Sequence, residues 1–98
     1  MSRVIKRIQR IDDLLRAQYF LLDAVHKNGD TIKAGAGRYL AHKLVVNQSR
    51  GESVWTTVIN AGYLQPRGGG EYALTEFGKS ALFYWDAIFN PPNEVFDK

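Results

Sequence analysis

The order of secondary structure is most legible in Val54–Gly78, which reads VWTTVINAGYLQPRGGGEYALTEFG. Its first residues have the apolar spacing of a short helix, and Gly62 is a typical helix end because glycine adopts the left-handed conformation there. Arg67 and three successive glycines then separate two short apolar stretches, as in a β-hairpin turn. Thr75 follows the second stretch and is a good N-cap residue. The stretch therefore predicts helix, strand, turn, strand and helix.

The N-terminal third of the chain predicts a long helical segment. Apolar residues recur at three- and four-residue steps from Val4 to His26. They indicate either one helix from about Arg3 to Lys27 or two pieces broken near Ile11–Asp13. Asn28-Gly29 is a good helix end, and Asp30–Lys33 is then a turn or a very short strand.

The middle of the chain predicts a loop and two further helices. Ala34–Gly37 is small and flexible, which favours a loop, and Arg38–Val46 is the next helix. Its buried candidates are Tyr39, Leu40, Leu44 and Val45. After a turn, the following helix begins between Ser49 and Ser53, with either serine as a possible cap.

Two strands and a last helix complete the prediction. The strands are Tyr63–Gln65 and Glu71–Leu74, and Thr75 caps a helix that runs to about Phe89. Asn90–Pro92 ends this helix, because proline cannot continue it.

Length and composition favour one soluble globular domain over residues 1–98. The chain has no cysteine, which excludes disulfides and thiolate sites and is compatible with the cytoplasm. No apolar run approaches the roughly 20 residues that a membrane span needs, and no signal-peptide pattern is visible.

Charge is unevenly distributed along the chain. Residues 1–67 carry eleven basic and five acidic side chains, whereas residues 68–98 carry two basic and five acidic ones. A basic front and an acidic back suit a protein that presents one side to a polyanion.

Two segments, Ala61–Leu64 and the run YALTEFG at Tyr72–Gly78, resemble the winged helix-turn-helix of MarR-like and PadR-like transcription regulators. The resemblance covers about Asp12–Phe89 and implies a mostly α fold with a small β-hairpin wing. It divides the chain into a basic N-terminal arm or helix (1–11), a winged helix (12–89) and a tail (90–98).

The resemblance implies sequence-specific binding of double-stranded DNA by a homodimeric transcription regulator of a prokaryote or phage, cytoplasmic and nucleoid-associated. Two alternatives stay open: a winged helix used for protein–protein contact, and an architectural or accessory DNA-binding factor.

The same resemblance makes the helix before Gly62 the recognition helix, whose polar members include Glu52 and Asn60. The DNA-binding candidates come from the second helix, the turn, the recognition helix and the wing: Lys33, Arg38, His42, Lys43, Gln48, Ser49, Arg50, Ser53, Thr56, Thr57, Arg67 and Tyr72. A solvated helix face is the alternative for the helical residues, and packing is the alternative for Tyr72. Trp55 is either a core residue or a base-stacking one. A second basic cluster, which is a DNA-touching arm, a solvated face or a partner surface, consists of Arg3, Lys6, Arg7 and Arg10.

Two residues depart from the family pattern. Gly51 stands where an apolar residue usually begins the recognition helix, and Glu52 places a negative charge towards the phosphates. Glu52 is therefore expected either to accept from a cytosine amino group or to favour the helix start.

The last helix carries apolar residues around much of its circumference, which implies burial on more than one face. The expected dimer interface consists of Leu82, Phe83, Trp85 and Phe89. The alternative is a core wrapped by the N-terminal residues Val4, Ile5 and Ile8.

No motif for catalysis is present. His26 and His42 lack metal-ligand spacing, and Gly68–Gly70 lacks the Lys-Ser/Thr of a phosphate loop. The sequence therefore predicts no enzyme, no metal, no cofactor and no required small-molecule ligand.

Overall fold

The computed structural model describes residues 2–45 and 50–90, with the backbone alone over residues 2–13. Within these residues the chain forms four helices and one three-stranded antiparallel sheet. The elements are α1 (Ser2–Lys27), β1 (Thr31–Lys33), α2 (Ala34–Leu44), α3 (Gly51–Asn60), β2 (Leu64–Gly68), β3 (Glu71–Leu74) and α4 (Glu76–Phe89). The predicted fold class, mostly α with a small β-hairpin, is confirmed, and the element order is compatible with a winged helix.

Helix α1 is continuous, so the single-helix alternative for the N-terminal segment holds. It ends where predicted, because Gly29 and Asp30 both adopt positive φ, 82° and 68°. The reversed chain places the Asp30 carbonyl 2.8 Å from the amide nitrogen of Leu74, which donates to it. The turn after α1 is thereby attached to β3.

Strand β3 lies in the middle of the sheet, in the order β1-β3-β2. Ile32 pairs with Tyr72 on one side, and Leu64 pairs with Leu74 on the other. The turn between β2 and β3 consists of Gly68, Gly69 and Gly70 at φ values of 100°, 63° and 76°, which glycine adopts without a Cβ clash. The β2–turn–β3 hairpin is called the wing below.

Helix α2 begins at Ala34, so the predicted loop over Ala34–Gly37 is wrong. The small residues serve close packing rather than flexibility: a Cβ on Gly37 would overlap the ring of Trp55. Tyr39 was predicted to be buried and is 65% exposed, whereas Ala41 is fully buried. Because α2 starts one turn earlier than predicted, a different side of it faces the core.

The core lies where α1, α3 and α4 meet the sheet. The largest fully buried side chains are Trp55, Leu21, Leu22, Leu64, Leu82, Val25, Val54 and Val58. Trp55 is 2% exposed, so the core alternative for this residue holds and base stacking is excluded. Its burial fixes α3 in rotation, because Val54 and Val58 are buried with it.

Helix α4 is capped as predicted. Thr75 Oγ1 accepts from the Gly78 amide at 2.9 Å and donates to the Gly62 carbonyl at 2.6 Å, which joins the end of α3 to the start of α4. A Cβ on Gly78 would collide with the Tyr63 carbonyl oxygen. The glycine at this position therefore allows α4 to cross directly over the chain that leaves α3.

The expected dimer interface is wrong for two of its four residues. Leu82 and Trp85 are 2% and 8% exposed and belong to the core of this chain. Phe89 is half-buried and packs on Tyr19 of α1, with ring centroids 5.2 Å apart. Of that set, Phe83 alone is exposed. The sequence showed two apolar stripes on α4 but did not show which of them faces α1.

Candidate nucleic-acid interface

The outward side of α3 carries short side chains that can form hydrogen bonds. Since Val54, Trp55 and Val58 point into the core, the positions between them are left outside. The exposed residues of α3 are Glu52, Ser53, Thr56, Thr57 and Asn60. We call this set the α3 polar face. Four of its members are neutral hydrogen-bonding groups, the type that reaches base edges when a helix lies in the major groove.

Two glycine contacts hold α3 close against α2. Gly51, the first residue of α3, is buried, and a Cβ there would come within 2.6 Å of the His42 backbone and ring. The Gly37–Trp55 contact lies further along the same two helices. The departure from the family pattern at Gly51 therefore has a packing cause, and α3 does not start late.

The start of α3 has no serine cap among the described residues. Arg50 occupies the N-cap position with no side-chain hydrogen bond to the helix, and Ser53 is exposed within the first turn. Ser53 thus remains on the α3 polar face rather than satisfying the helix end. Gln48 and Ser49, two of the predicted contact residues, lie outside the described residues.

Basic residues surround the α3 polar face on three elements. The exposed ones among the predicted set are Lys33, Arg38, Lys43, Arg50 and Arg67. Lys33 immediately precedes α2, and Arg50 immediately precedes α3. The amide of Ala34 donates to the carbonyl of Gly70 at 2.8 Å, so the start of α2 is attached to the turn of the wing. We call these five cations the basic rim.

Glu52 makes ion pairs with α2 instead of capping its own helix. Its carboxylate lies 3.6 Å from Arg38 Nε and 3.9 Å from His42 Nε2. All three side chains are more than one third exposed, so the pairs contribute little to stability. Their consequence is electrostatic, because the one acid on the exposed side of α2 and α3, among the described residues, offsets part of the basic rim.

The wing is packed against α3 by an aromatic contact. Tyr72 of β3 meets Trp55 edge-on, with ring centroids 5.2 Å apart, and is half-buried. The packing alternative therefore describes the ring of Tyr72, and its role is to orient the hairpin. Arg67 on β2 is fully exposed beside the three-glycine turn.

The structure brings most of the predicted contact residues onto one continuous side formed by α2, α3 and the wing. Two exposed residues there were missed. Asn60 was read as polar but was not assigned a contact, although its spacing of four from Thr56 places both on one helix face. Tyr39 was taken for core; it lies beside Lys43, whose Nζ is 5.5 Å from the ring centroid. The side chains of the N-terminal cluster Arg3, Lys6, Arg7 and Arg10 lie outside the described part of the chain.

Other kinds of site find little support in the described residues. No group of three or more His, Asp or Glu residues there is arranged to hold a metal ion. The described helices are all too short or too polar to cross a lipid bilayer.

Comparison with known proteins returned no match, whether with protein-family models, with curated protein sequences or with solved structures.

Proposed function

We propose that this protein binds double-stranded DNA sequence-specifically through α3 and the wing, and that it acts as a transcription regulator. The observation that carries the proposal is the α3 polar face with the basic rim around it. A helix about 10 Å wide fits the major groove, and short hydroxyl and amide side chains on its outer side can approach base edges.

The basic rim supports the proposal because its charges flank the α3 polar face instead of covering it. Phosphates line both edges of the major groove, so a helix lying in the groove brings its neighbours towards them. Arg38 and Lys43 of α2 are suited to one backbone, and Arg67 of the wing to a neighbouring groove or backbone. Arg50 at the start of α3 is suited to fork onto a guanine edge.

Such a role places the protein at the nucleoid, in the cytoplasm of a prokaryote or of a phage-infected cell. An architectural role is the alternative that shares this surface. It differs in one measurable respect: an architectural protein discriminates weakly between duplex sequences, whereas a regulator binds its site far more tightly than other DNA.

Selection of bound sites from a random duplex library, followed by titration of the selected site, tests the proposal. We expect Arg50→Ala to weaken binding to the selected site by about 1–3 kcal/mol and to relax preference at one base pair. Thr56→Ala should cost less, about 1 kcal/mol, because a hydroxyl contributes one neutral hydrogen bond.

The matched control is Lys27→Ala, which removes one exposed cation from the end of α1, away from the α3 polar face. Thermal unfolding of all three variants should stay close to that of the parent, since each residue is exposed. No enrichment of any sequence, or parental affinity for both Arg50→Ala and Thr56→Ala, would contradict the proposal.

A further inference from the structure

Helix α4 presents an apolar side that no described part of the chain covers. Phe77, Tyr84 and Ile88 are 60%, 67% and 51% exposed, and they project from one side of the helix. That side lies roughly a quarter of a turn from the buried Leu82 and Trp85. Together with the small residues between them, these side chains form a surface that we call the α4 outer face: Phe77, Ser80, Ala81, Tyr84, Ala87 and Ile88.

The charged residues of α4 project away from this face and are engaged elsewhere. Lys79 Nζ lies 3.4 Å from Asp30 of the turn after α1 and 3.6 Å from Glu76. Asp86 accepts a hydrogen bond of 2.5 Å from the Tyr19 hydroxyl. Over more than three turns, the α4 outer face is therefore left without a charge.

We propose that the α4 outer face is a self-association surface, whose occupant is the same face of a second copy of this chain. An uncharged surface gives a charged partner segment nothing to pair with, and two copies of it meet without like-charge repulsion. Contact across a two-fold axis requires only that the surface be self-complementary.

The spacing along the face supports this occupant. Phe77, Ser80, Tyr84 and Ala87 follow steps of three, four and three residues, the repeat of helices that pack along their length. Large and small side chains alternate in that order. The rings of one copy can therefore enter the gaps that Ser80 and Ala87 leave on the other, as in knobs-into-holes packing.

The exposed area is of the size that association needs. At roughly 200 Å² for a large side chain, Phe77, Tyr84 and Ile88 together expose roughly 350 Å². A standard interface buries about 800 Å² on each partner, so these three side chains supply nearly half of it. An apolar patch of this extent marks an interaction site more often than an ordinary surface.

The inference does not depend on DNA binding, because the α4 outer face and the α3 polar face share no residue. It replaces the interface expected from the sequence by the neighbouring stripe of the same helix. The two assignments differ at adjacent exposed residues, Tyr84 and Phe83, which makes them separable by experiment.

Sedimentation equilibrium of the full chain, from about 1 to 100 µM, tests the proposal with two matched variants. The parent should sediment at twice the chain mass. Tyr84→Asp places a charge in the centre of the face and should raise the dimer dissociation constant roughly 30-fold or more, as loss of a central aromatic does. Phe83→Asp introduces the same charge one position along, on the side next to His26, and should leave the dimer unchanged.

Far-UV circular dichroism and thermal unfolding verify that both variants are folded, and Ile88→Asp repeats the test at the end of the face. Monomeric parent protein across the whole concentration range would overturn the proposal. So would an intact dimer in Tyr84→Asp and Ile88→Asp, or equal dissociation by Phe83→Asp. DNA affinity is not a readout here, so failure of this proposal and failure of the proposed function are distinguishable.

Discussion

Single residues decide how α2 and α3 meet, and Glu52 is the residue with the clearest electrostatic effect. Its carboxylate lies close to Arg38 and His42 on the side that we propose faces DNA. A negative charge there repels phosphates and also engages a cation that would otherwise contact them. Glu52 therefore lowers affinity for DNA of any sequence, which favours discrimination over strength of binding.

We expect Glu52→Gln to tighten binding to random duplex and to steepen its salt dependence. If Arg38 gains one phosphate contact, the slope of log K against log salt should increase by about 0.9. Fluorescence anisotropy titrations at several salt concentrations measure this. Glu76→Gln is the control, since it removes the same charge from an α4 side chain that is 94% exposed. An equal gain in Glu76→Gln would mean that net charge alone is responsible.

The glycine at the start of α3 has a second testable consequence. Gly51→Ala should lower the free energy of unfolding by about 1–3 kcal/mol, because the new Cβ would press on the His42 backbone. Gly35→Ala in α2 meets open space and should be neutral or stabilise by up to about 1 kcal/mol. Urea denaturation compares the two; equal stability would show that α2 and α3 do not approach as closely as described.

Some of these residue-level features were predictable from the sequence and others were not. Thr75 and the three wing glycines act locally, so their types indicated a cap and a turn directly. The helical role of Gly37 was not predictable, because it depends on Trp55, distant in sequence. Glycine is read as a loop former until its packing partner is known.

At the scale of elements, the attachment of α1 to α4 depends on one polar cluster. The Tyr19 hydroxyl donates to Asp86, and the Asn90 amide donates to the Tyr19 oxygen at 2.7 Å and to Asp86 at 3.0 Å. The hydrogen bond to Asp86, followed by burial, raises the pKa of Tyr19 to about 12. The same bond lowers the pKa of Asp86.

These shifts give the free energy of unfolding a defined pH dependence. Because the folded-state pKa of Tyr19 lies above its ordinary value of 10.0, its contribution is complete below pH 10 and is lost as the pH rises to about 12. Asp86 has a lowered pKa, so its contribution is present above the ordinary carboxyl range and is lost as the pH falls through the folded-state value.

Tyr19→Phe should therefore destabilise the protein by about 1–2 kcal/mol at neutral pH and flatten the loss of stability between pH 10 and 12. Urea denaturation at pH 7, 10 and 11.5 measures both effects. Tyr84→Phe, at an exposed tyrosine, is the control and should behave like the parent. A Tyr19→Phe profile parallel to that of the parent above pH 10 would contradict this role for the hydroxyl.

Elements defined by local signals were predicted well, and elements defined by distant contacts were not. The wing strands and the limits of α4 agree with prediction within one or two residues at most boundaries. Strand β1 was only one of two alternatives for Asp30–Lys33, because its partner β3 lies about 40 residues away. The two apolar stripes of α4 were visible, but α1 decides which of them is buried.

The whole molecule combines two surfaces with different chemistry. The α3 polar face and the basic rim lie on α2, α3 and the wing, whereas the α4 outer face is uncharged. The charge asymmetry of the sequence agrees with this division, since the basic rim falls within residues 1–67. Dimerisation through α4 would leave the α3 polar face of each copy free, so that two copies could bind two half-sites of a symmetric DNA sequence.

The central claim, that this side of the molecule binds DNA, is tested most directly by the salt dependence of duplex binding in parent, Arg67→Ala and Lys27→Ala proteins. Both variants lose one exposed cation, but only Arg67 belongs to the basic rim. We predict that the parent binds duplex with a linear log–log salt dependence. Arg67→Ala should lower its slope by about 0.9, and Lys27→Ala should leave the slope unchanged. Absence of duplex binding by the parent at low salt, or equal slopes for the two variants, would contradict the claim.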